Sequence, residues 1–406
     1  MNLSDGNRSI ANGSPRRIAW RKLRKDRFGM VALTIILLTV AIAILGYLIS
    51  PDQTPYANRQ LLEIGTAKPG FTVKQFKIPT SAADPKPSFL RVMLFGIQDT
   101  YLYIPFSELR FRSDSVLIQL FNPDPEEEIQ FSAYLLTDLL FPGYRGNINL
   151  NGDSICLSET ETGKQCFSLA ALRNQVTENH VVIRHYWLGT DQYGRDLLSR
   201  LIIGTRVSLS VGFIAVLISI LIGLTVGSLG GYFRGKVDQV VVWLINVVWS
   251  IPTLLLVIAI TFALGKGFWQ VFIAVGMTMW VEVARVVRGQ MLSLREKEFS
   301  EAAKALGFNH FRIIVRHLLP NVMSPVIIVS AANFASAILI EAGLSFLGLG
   351  VQPPVPSWGS MIKENYAFII LDAAYLALLP GLAIMLIVLA FMLLGNSLRD
   401  ALDVKS

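Results

Sequence analysis

The sequence predicts an all-α polytopic membrane protein with six transmembrane helices and a β-rich extracytoplasmic domain inserted between the first two. Composition is the first reason: of the 406 residues, 52% are hydrophobic and only 16% are charged, and the mean hydropathy is +0.51. Patterning is the second reason. The apolar residues form six blocks, each about as long as the roughly 20 residues with which a helix crosses a bilayer.

A basic tail, residues 1–27, precedes the first apolar block at 28–50. The tail contains eight Lys and Arg residues against two Asp residues. The block is a full bilayer span and does not end in a small-residue cleavage site, which is not typical of a cleaved signal peptide. We therefore expect a retained first transmembrane helix with its N-terminus in the cytoplasm.

The other five apolar blocks predict the remaining spans, at about 207–230, 237–264, 268–287, 321–347 and 375–396. The loops that this order places in the cytoplasm are rich in Lys and Arg, whereas the short outer loops are not. This positive-inside distribution predicts an inner-membrane protein with both termini in the cytoplasm. The formal charge of +7 thus reflects membrane topology, and we expect no nucleic-acid partner.

Residues 51–185 form a long outer segment between the first two spans. Stretches rich in β-branched and aromatic residues predict strands at Phe71–Ile78, Phe89–Phe95, Val116–Phe121 and Ile129–Leu135. Both cysteines of the chain, Cys156 and Cys166, lie in this segment, where an oxidising compartment favours one disulfide. A metal pair is the alternative, but two thiols without a nearby His are poor ligands, and we expect no metal site.

The cytoplasmic loop 289–320 has the pattern of a short helix outside the membrane. Ser293 and Glu296 have the spacing of a capping box that starts a helix. Gly307 can adopt the left-handed conformation that ends one.

A second short helix follows in the same loop. Asn309 is placed to cap it, and Pro320 is expected to end it where the fifth span begins. Four residues of the first helix fall on one apolar face: Phe299, Ala302, Ala303 and Leu306. This face has no core of its own, so it either lies on the bilayer or docks into a groove of a partner.

The loop resembles the EAA motif in the membrane subunits of binding-protein-dependent ABC importers. The matching residues are Glu301, Ala302, Ala303, Gly307, Leu319 and Pro320. In that family the motif is a coupling helix that sits in a cleft of the cytoplasmic ATPase, and the resemblance implies this role here. It also implies the type I importer permease fold, with residues 186–406 as the permease core.

A second stretch, WLGTDQYGRDLLSRLIIGTR at 187–206, is similar to the signature before the second span of dipeptide, oligopeptide and nickel permeases. An outer signature or gating role is implied for Gly189, Thr190, Asp191, Gly194, Arg195 and Asp196. Read physically, Thr190 or Asp191 caps an interfacial helix whose charged residues lie on its polar side. A packing ledge that orients the second span explains the same residues equally well.

Two carboxylates are predicted inside the spans. Glu341 lies in a third stretch, 339–361, that is similar to the outer loop of the C-type subunit of peptide permeases, and we expect it to make a structural hydrogen bond. Glu282 lies in the fourth span, with Arg285 and Arg288 about one turn away as its expected ion-pair partners.

Neither a G-x4-G-K-[S/T] nor an H-E-x-x-H sequence occurs in the chain. We therefore expect a transport subunit without catalytic residues or a cofactor, and ATP hydrolysis on separate subunits. The resemblance implies the partners: a homologous permease subunit forming a heterodimer, two cytoplasmic ABC ATPase subunits and an extracytoplasmic solute-binding protein, all at the lipid membrane.

The same resemblance implies that the solute is a di- or oligopeptide. Import of nickel or of another small solute is the alternative within the family. A membrane-anchored sensor or adhesion protein that works through residues 51–185 is an alternative of a different class. That class leaves the docking pattern of the cytoplasmic loop without an explanation.

Overall fold

The computed structural model describes residues 15–80, 87–123, 130–144, 146–159, 163–265 and 267–402. Residues 1–14 of the predicted tail and 403–406 of the predicted core therefore lie outside the described residues. The described part forms two compact units, one of residues 45–203 with 370–376 and one of the remaining residues.

Two helices begin the chain, α1 (Pro15–Lys25) and α2 (Arg27–Ile49). Asp26 separates them, because its carboxylate accepts the backbone N–H of Phe28 at 3.1 Å and caps α2. The side chains of α2 are almost all apolar, and many of them are exposed, as expected for a helix surrounded by lipid.

Between α2 and the next long helix, the described residues form two antiparallel sheets, three α-helices and two 3₁₀ turns at Pro55–Ala57 and Leu62–Ile64. The first sheet has the strand order β4-β3-β2-β1-β8 and the second has the order β5-β6-β7. In chain order the elements are β1 (Phe71–Pro79), α3 (Phe89–Phe95), β2 (Tyr101–Arg112), β3 (Ser115–Leu120), β4 (Phe131–Leu135), α4 (Leu136–Leu140), β5 (Asn147–Asn151), β6 (Ser154–Glu159), β7 (Gly163–Ser168), α5 (Leu169–His180) and β8 (Val181–Tyr186).

One predicted strand is wrong, since Phe89–Phe95 is the helix α3. The side chain of Ser88 accepts the N–H of Arg91 at 3.4 Å, and Gly96, with φ of +77°, follows the last helical residue. These local caps outweigh the β-propensity of the aromatic and branched residues, which depends on a sheet neighbour.

A single apolar core joins both sheets to α4 and α5. Its most buried members come from five elements: Phe76, Ile118, Leu136, Ile155 and Val176. Cys156 and Cys166 are opposite each other in β6 and β7 and form a disulfide. The second sheet is thus held by a covalent link between adjacent strands as well as by packing.

The rest of the chain is helical. Its elements are α6 (Leu197–Phe233), α7 (Gly235–Trp249), α8 (Thr253–Leu264), α9 (Phe268–Leu294), α10 (Glu298–Ala305), α11 (His310–Arg312), α12 (Leu319–Phe346), α13 (Trp358–Asn365) and α14 (Tyr375–Leu402). Five of the helices in the described ranges are long and apolar enough to cross a membrane: α2, α6, α9, the continuous helix from α11 to α12, and α14.

The helices α7 and α8 supply a sixth span only if the pair is counted as one. They are bent by 92° at the break between Trp249 and Thr253. Pro252 lies at this break, where its missing N–H and fixed φ interrupt the helix. The predicted span 237–264 is therefore two helices.

A seam of glycines brings α6 against α9. Ideal Cβ atoms built on Gly223 and Gly227 would lie 2.5 Å from atoms of Val283 and Ala284, respectively. Small residues at this spacing let helix backbones approach closely in lipid. These glycines therefore serve packing within the chain.

Candidate functional site

The coupling loop, residues 289–320, begins differently from the sequence prediction. Helix α9 continues one residue beyond Ser293, and α10 begins only after Lys297. The predicted capping box is wrong because Glu296 binds elsewhere: the guanidinium of Arg234 donates to its carboxylate at 2.5 Å. This hydrogen bond lowers the pKa of the Glu296 carboxyl.

The end of α10 agrees with the sequence prediction. Gly307 has φ of +73°, the left-handed conformation that glycine adopts without strain. Its N–H donates to the carbonyl of Lys304 at 2.9 Å, and the N–H of Phe308 donates to the carbonyl of Ala303 at 3.2 Å. This pair of bonds is a Schellman motif, which fixes the direction in which the chain leaves α10.

The next helix does not end at Pro320 as predicted. Asn309 caps α11 through its side-chain oxygen, as expected. The helix then passes through a π-helical segment, Ile313–Leu318, directly into α12. Leu319 is half-buried and Pro320 is exposed at the start of α12, where a proline is tolerated. The coupling loop is therefore continuous with a membrane-spanning helix.

One side of α10 packs inside the chain. Ser300 and Ala303 are 0% and 4% exposed. Ala303 belongs to an apolar cluster formed by α6, α9 and the helix after the turn, with Tyr232, Val287, Met291, Ile313 and Leu318. The prediction that Ala303 shares an open apolar face is wrong, because the side chain of Ala303 itself is covered by the chain's own spans.

Four large apolar side chains of the coupling loop remain open: Val315 in the π-helical segment, which is 44% exposed, and three others that precede it in the chain. Phe299, Leu306 and Phe311 are 42%, 72% and 74% exposed. Glu301 and Ala302, in the same helix as Phe299, are also exposed. We call the five residues other than Val315 the open face. It is an apolar surface with one carboxylate, of the kind that a groove in a partner can cover.

Polar contacts tie the coupling loop to α6, and others tie α7 to α9. Arg295 donates to the carbonyl of Tyr232, and the hydroxyl of Tyr232 lies 2.8 Å from Nδ1 of His310. Arg288 forms a bidentate ion pair with Asp238, at 2.5 and 2.7 Å. Sequence reasoning did not include these five residues in the site. The only signal for them was the density of Arg at the inner end of α9.

The outer signature, residues 187–206, contains a cluster of buried charged side chains. The carboxylate of Asp191 accepts the N–H of Tyr193 at 2.9 Å and Nε of Arg195 at 2.7 Å. Nε of Arg200 lies 3.5 Å from the same carboxylate. Asp191, Arg195 and Arg200 are at most 3% exposed, so the predicted solvent-facing polar side is wrong.

No separate interfacial helix precedes α6 in the described signature. Asp196 caps α6 itself by accepting the N–H of Ser199 at 2.9 Å, and burial raises the pKa of the Asp196 carboxyl. Thr190 instead donates through its hydroxyl to the carbonyl of Ile64 at 2.5 Å. The predicted cap at Thr190 or Asp191 is thus wrong, and the true cap, Asp196, lies five residues beyond Asp191.

Two glycines allow the outer signature to pack against residues 61–67. An ideal Cβ on Gly194 (φ +70°) would lie 1.7 Å from the carbonyl oxygen of Leu61. An ideal Cβ on Gly189 (φ +80°) would lie 2.2 Å from the carbonyl oxygen of Ala67. Neither position accepts a side chain without a backbone shift.

Glu341 is fully buried in α12. The hydroxyl of Ser345 donates to its carboxyl group at 2.7 Å. The hydroxyl oxygen of Ser345 lies in turn 3.5 Å from the hydroxyl oxygen of Ser357, the residue that caps α13. The expected structural hydrogen bond is present, and it lies where α12 meets α13.

Two family models match parts of the chain. Residues 203–405 match the family described as "Binding-protein-dependent transport system inner membrane component", and residues 14–63 match the "N-terminal TM domain of oligopeptide transport permease C". Residues 64–202 lie outside both matches. A chain of the MetNI methionine ABC transporter aligns with a TM-score of 0.42 at 18% identity, covering 50% of this chain and 95% of that chain.

Three curated relatives are similar in sequence. The glutathione transport system permease protein GsiD of Pectobacterium atrosepticum is 42% identical over 220 residues, which cover 54% of this chain and 73% of that protein. The dipeptide transport system permease protein DppC of Alkalihalophilus pseudofirmus is 42% identical over 220 residues, covering 54% and 72%. DppC of Bacillus subtilis is 39% identical over 237 residues, covering 58% and 74%. This chain therefore belongs to the family of inner-membrane permease components of binding-protein-dependent ABC transport systems.

Proposed function

We propose that this chain is one permease subunit of an ATP-driven importer of di- and oligopeptides. The observation that carries the proposal is the open face, which exposes Phe299, Leu306 and Phe311 on a loop continuous with a membrane-spanning helix. The family supplies the transport role, and the relatives named for dipeptide and glutathione transport support a peptide as the solute.

In this proposal α10 is the coupling helix and docks into a cytoplasmic ATPase subunit. Glu301 and Ala302 contact the ATPase together with the apolar side chains of the open face. Ala303 and Gly307 act from the other side: Ala303 joins α10 to the spans, and Gly307 sets the direction of the turn. Leu319 and Pro320 lie at the start of α12, so displacement of the loop acts directly on that helix.

The full importer contains a homologous permease subunit in a heterodimer, two ATPase subunits and a solute-binding protein. One coupling loop on each permease subunit serves one ATPase. The chain crosses the membrane six times, with α7 and α8 together as the third span and both termini in the cytoplasm. The positive-inside charge pattern supports this topology.

The β-rich domain 51–185 lies outside the cell membrane in this topology. The disulfide between Cys156 and Cys166 supports that side, because such bonds persist in oxidising compartments. The outer signature positions the start of α6. Burial of Asp191, Arg195 and Arg200 favours this packing role over gating or direct contact with the solute-binding protein.

The test is to purify the tagged chain with its partners and to measure ATPase activity, for the wild type and for Gly307→Pro. Proline cannot adopt φ of +73° and lacks the N–H that Gly307 donates, so the variant should recover less ATPase subunit. Gly265→Pro is the matched control, because Gly265 (φ +86°) also follows a helix end but lies outside the loop. Equal ATPase recovery and activity for Gly307→Pro and the wild type would reject the coupling role.

A further inference from the structure

Glu282 is a carboxylate near the middle of α9, and it is exposed in this chain. Both of its expected partners are engaged elsewhere. The guanidinium of Arg285 lies over the ring of Trp249, 3.5 Å from the centroid, and Arg288 is paired with Asp238. Within the described residues Glu282 makes no ion pair. An ionisable group at this depth is costly to retain and marks a functional site.

The side chain of Glu282 lines a pocket of about 360 Å³ at the break between α7 and α8. Glu282 is the only charged side chain among the described residues of its lining, and Thr253, Thr278 and Ser336 of the same lining carry hydroxyl groups. The volume is within the range of small-molecule sites. Irregular backbone at membrane depth is tolerated where it lines such a cavity.

We propose that this pocket binds the N-terminal ammonium group of the peptide in transit, with Glu282 as its counter-ion. An ammonium group has three N–H donors, and a carboxylate together with neighbouring hydroxyls accepts them. The inference rests on the proposed import of peptides. A cation of the homologous permease subunit is the competing partner for Glu282, and the experiment below separates the two.

The experiment measures protection of a thiol introduced into the pocket. Both native cysteines are in the disulfide, so Ser336→Cys supplies the only free thiol of the chain. The complete transporter in nanodiscs is alkylated with a maleimide in the presence of dialanine, N-acetyl-dialanine or ethylammonium. The measurement is repeated with Glu282→Gln, and Glu63→Gln serves as the control for loss of an exposed carboxylate elsewhere.

At about ten times their dissociation constants, dialanine and ethylammonium should slow alkylation about tenfold with Glu282 present, because the occupied fraction of the pocket is set by mass action. N-acetyl-dialanine lacks the ammonium group and should not slow it. Protection should disappear with Glu282→Gln and persist with Glu63→Gln. Equal protection in Glu282→Gln, or none in the wild type, would overturn the assignment, and the second result would point to the partner subunit. Absence of dialanine uptake by wild-type proteoliposomes would reject a peptide as the solute. Protection by ethylammonium tests the ammonium site by itself, because it does not require that the transporter carries peptides.

A second, independent observation concerns α3. Three of its apolar side chains are strongly exposed: Phe89, Leu90 and Phe95 at 66%, 63% and 67%. Leu94 is 48% exposed, and Arg91 is the only charged residue of the helix. A helix that is apolar on its open side needs a cover other than water.

Contacts at its C-terminal end fix α3 near the end of the membrane helix α2. The N–H of Ile97 donates at 2.8 Å to the carbonyl of Gln53, four residues beyond Ile49, the last residue of α2. Arg59 and Asp99 form an ion pair at 2.7 Å in the same region. Four residues reach at most about 14 Å, so the end of α3 lies within the depth of the lipid headgroups and the adjoining water.

We infer that α3 lies in the membrane surface, with its exposed apolar side chains among the upper acyl chains. Helices with this composition bind at the headgroup boundary through their apolar face. The lipid surface is favoured over a protein partner because the C-terminal end of α3 is bonded to Gln53, four residues beyond the last residue of the membrane helix α2.

A single label tests this placement. A bimane group on Phe95→Cys, in nanodiscs without the solute-binding protein, should be quenched by spin-labelled lipids at least twofold more than one on Gln175→Cys, an exposed residue of α5. Equal quenching at the two positions would overturn the inference. So would protection at position 95 that appears only after the solute-binding protein is added, because α3 would then be a protein contact.

Discussion

Replacing Leu306 with alanine tests the open face quantitatively. Leu306 is 72% exposed, so most of its side chain is available to be buried by a docked ATPase subunit. The change removes three carbon atoms, each of which contributes about 0.8 kcal/mol of binding free energy when it is buried. Multiplied by the 72% of the side chain that is exposed before docking, the loss of binding free energy is about 1.7 kcal/mol. Binding of the ATPase subunit should therefore weaken by roughly 15- to 20-fold. The thermal stability of the permease itself should not change, because the removed atoms touch little of the chain.

The assay is a titration of the ATPase subunit onto the permease held in nanodiscs, followed by biolayer interferometry. Leu62→Ala is the matched control, since Leu62 is 70% exposed and lies outside the coupling loop. It should leave the dissociation constant unchanged. A Leu306→Ala variant that binds the ATPase subunit as tightly as the wild type would refute the docking of this face.

Three further predictions concern the unit that contains the two sheets. Gly194→Ala places a Cβ 1.7 Å from a carbonyl oxygen, so it should lower the free energy of unfolding by at least about 3 kcal/mol, as measured by thermal unfolding. The control Gly143→Ala, whose Cβ would enter open space, should lower it by about 1 kcal/mol. Burial raises the pKa of Tyr186 to about 12, so the stability linked to its neutral form is present below about pH 10 and is lost as the pH rises through 12. The variant Tyr186→Phe should lack this step in an ultraviolet titration. It should also lower the free energy of unfolding by about 1–3 kcal/mol, because the amide of Gln75 loses its hydrogen-bond partner. Reduction of the disulfide, whose cysteines are 10 residues apart, should cost about 3 kcal/mol by the chain-entropy relation, and unfolding with and without reductant measures it.

Features that local physics determines were predictable from the sequence. Five of the six long apolar blocks correspond to long helices, because a helix needs only sufficient apolar length to cross a bilayer, whereas the block 237–264 is broken into two helices. The turn at Gly307 and the cap at Asn309 were also predictable, since each depends on one residue and its neighbours within three positions.

Features that depend on distant partners were not predictable. Glu296 has the spacing of a capping box, but Arg234, which is 62 residues away, takes its carboxylate. The outer signature has the pattern of a solvated polar face, yet Asp191 and Arg195 are buried because they satisfy each other. The orientation of Ala303 depends on where α10 begins and on which spans pack against it, and a helical wheel contains neither fact.

The most direct test of the central claim is ATP-dependent peptide uptake, measured in proteoliposomes that contain the complete transporter and its solute-binding protein. The comparison is between the wild type and Leu306→Glu, which puts a charge on the open face. We predict that the wild type accumulates labelled dialanine only with ATP, and that the variant loses at least nine-tenths of this uptake, because an unpaired charge in an apolar groove costs well over 1.4 kcal/mol, or tenfold. Uptake by the wild type without ATP, or unchanged ATP-dependent uptake by Leu306→Glu, would contradict the account.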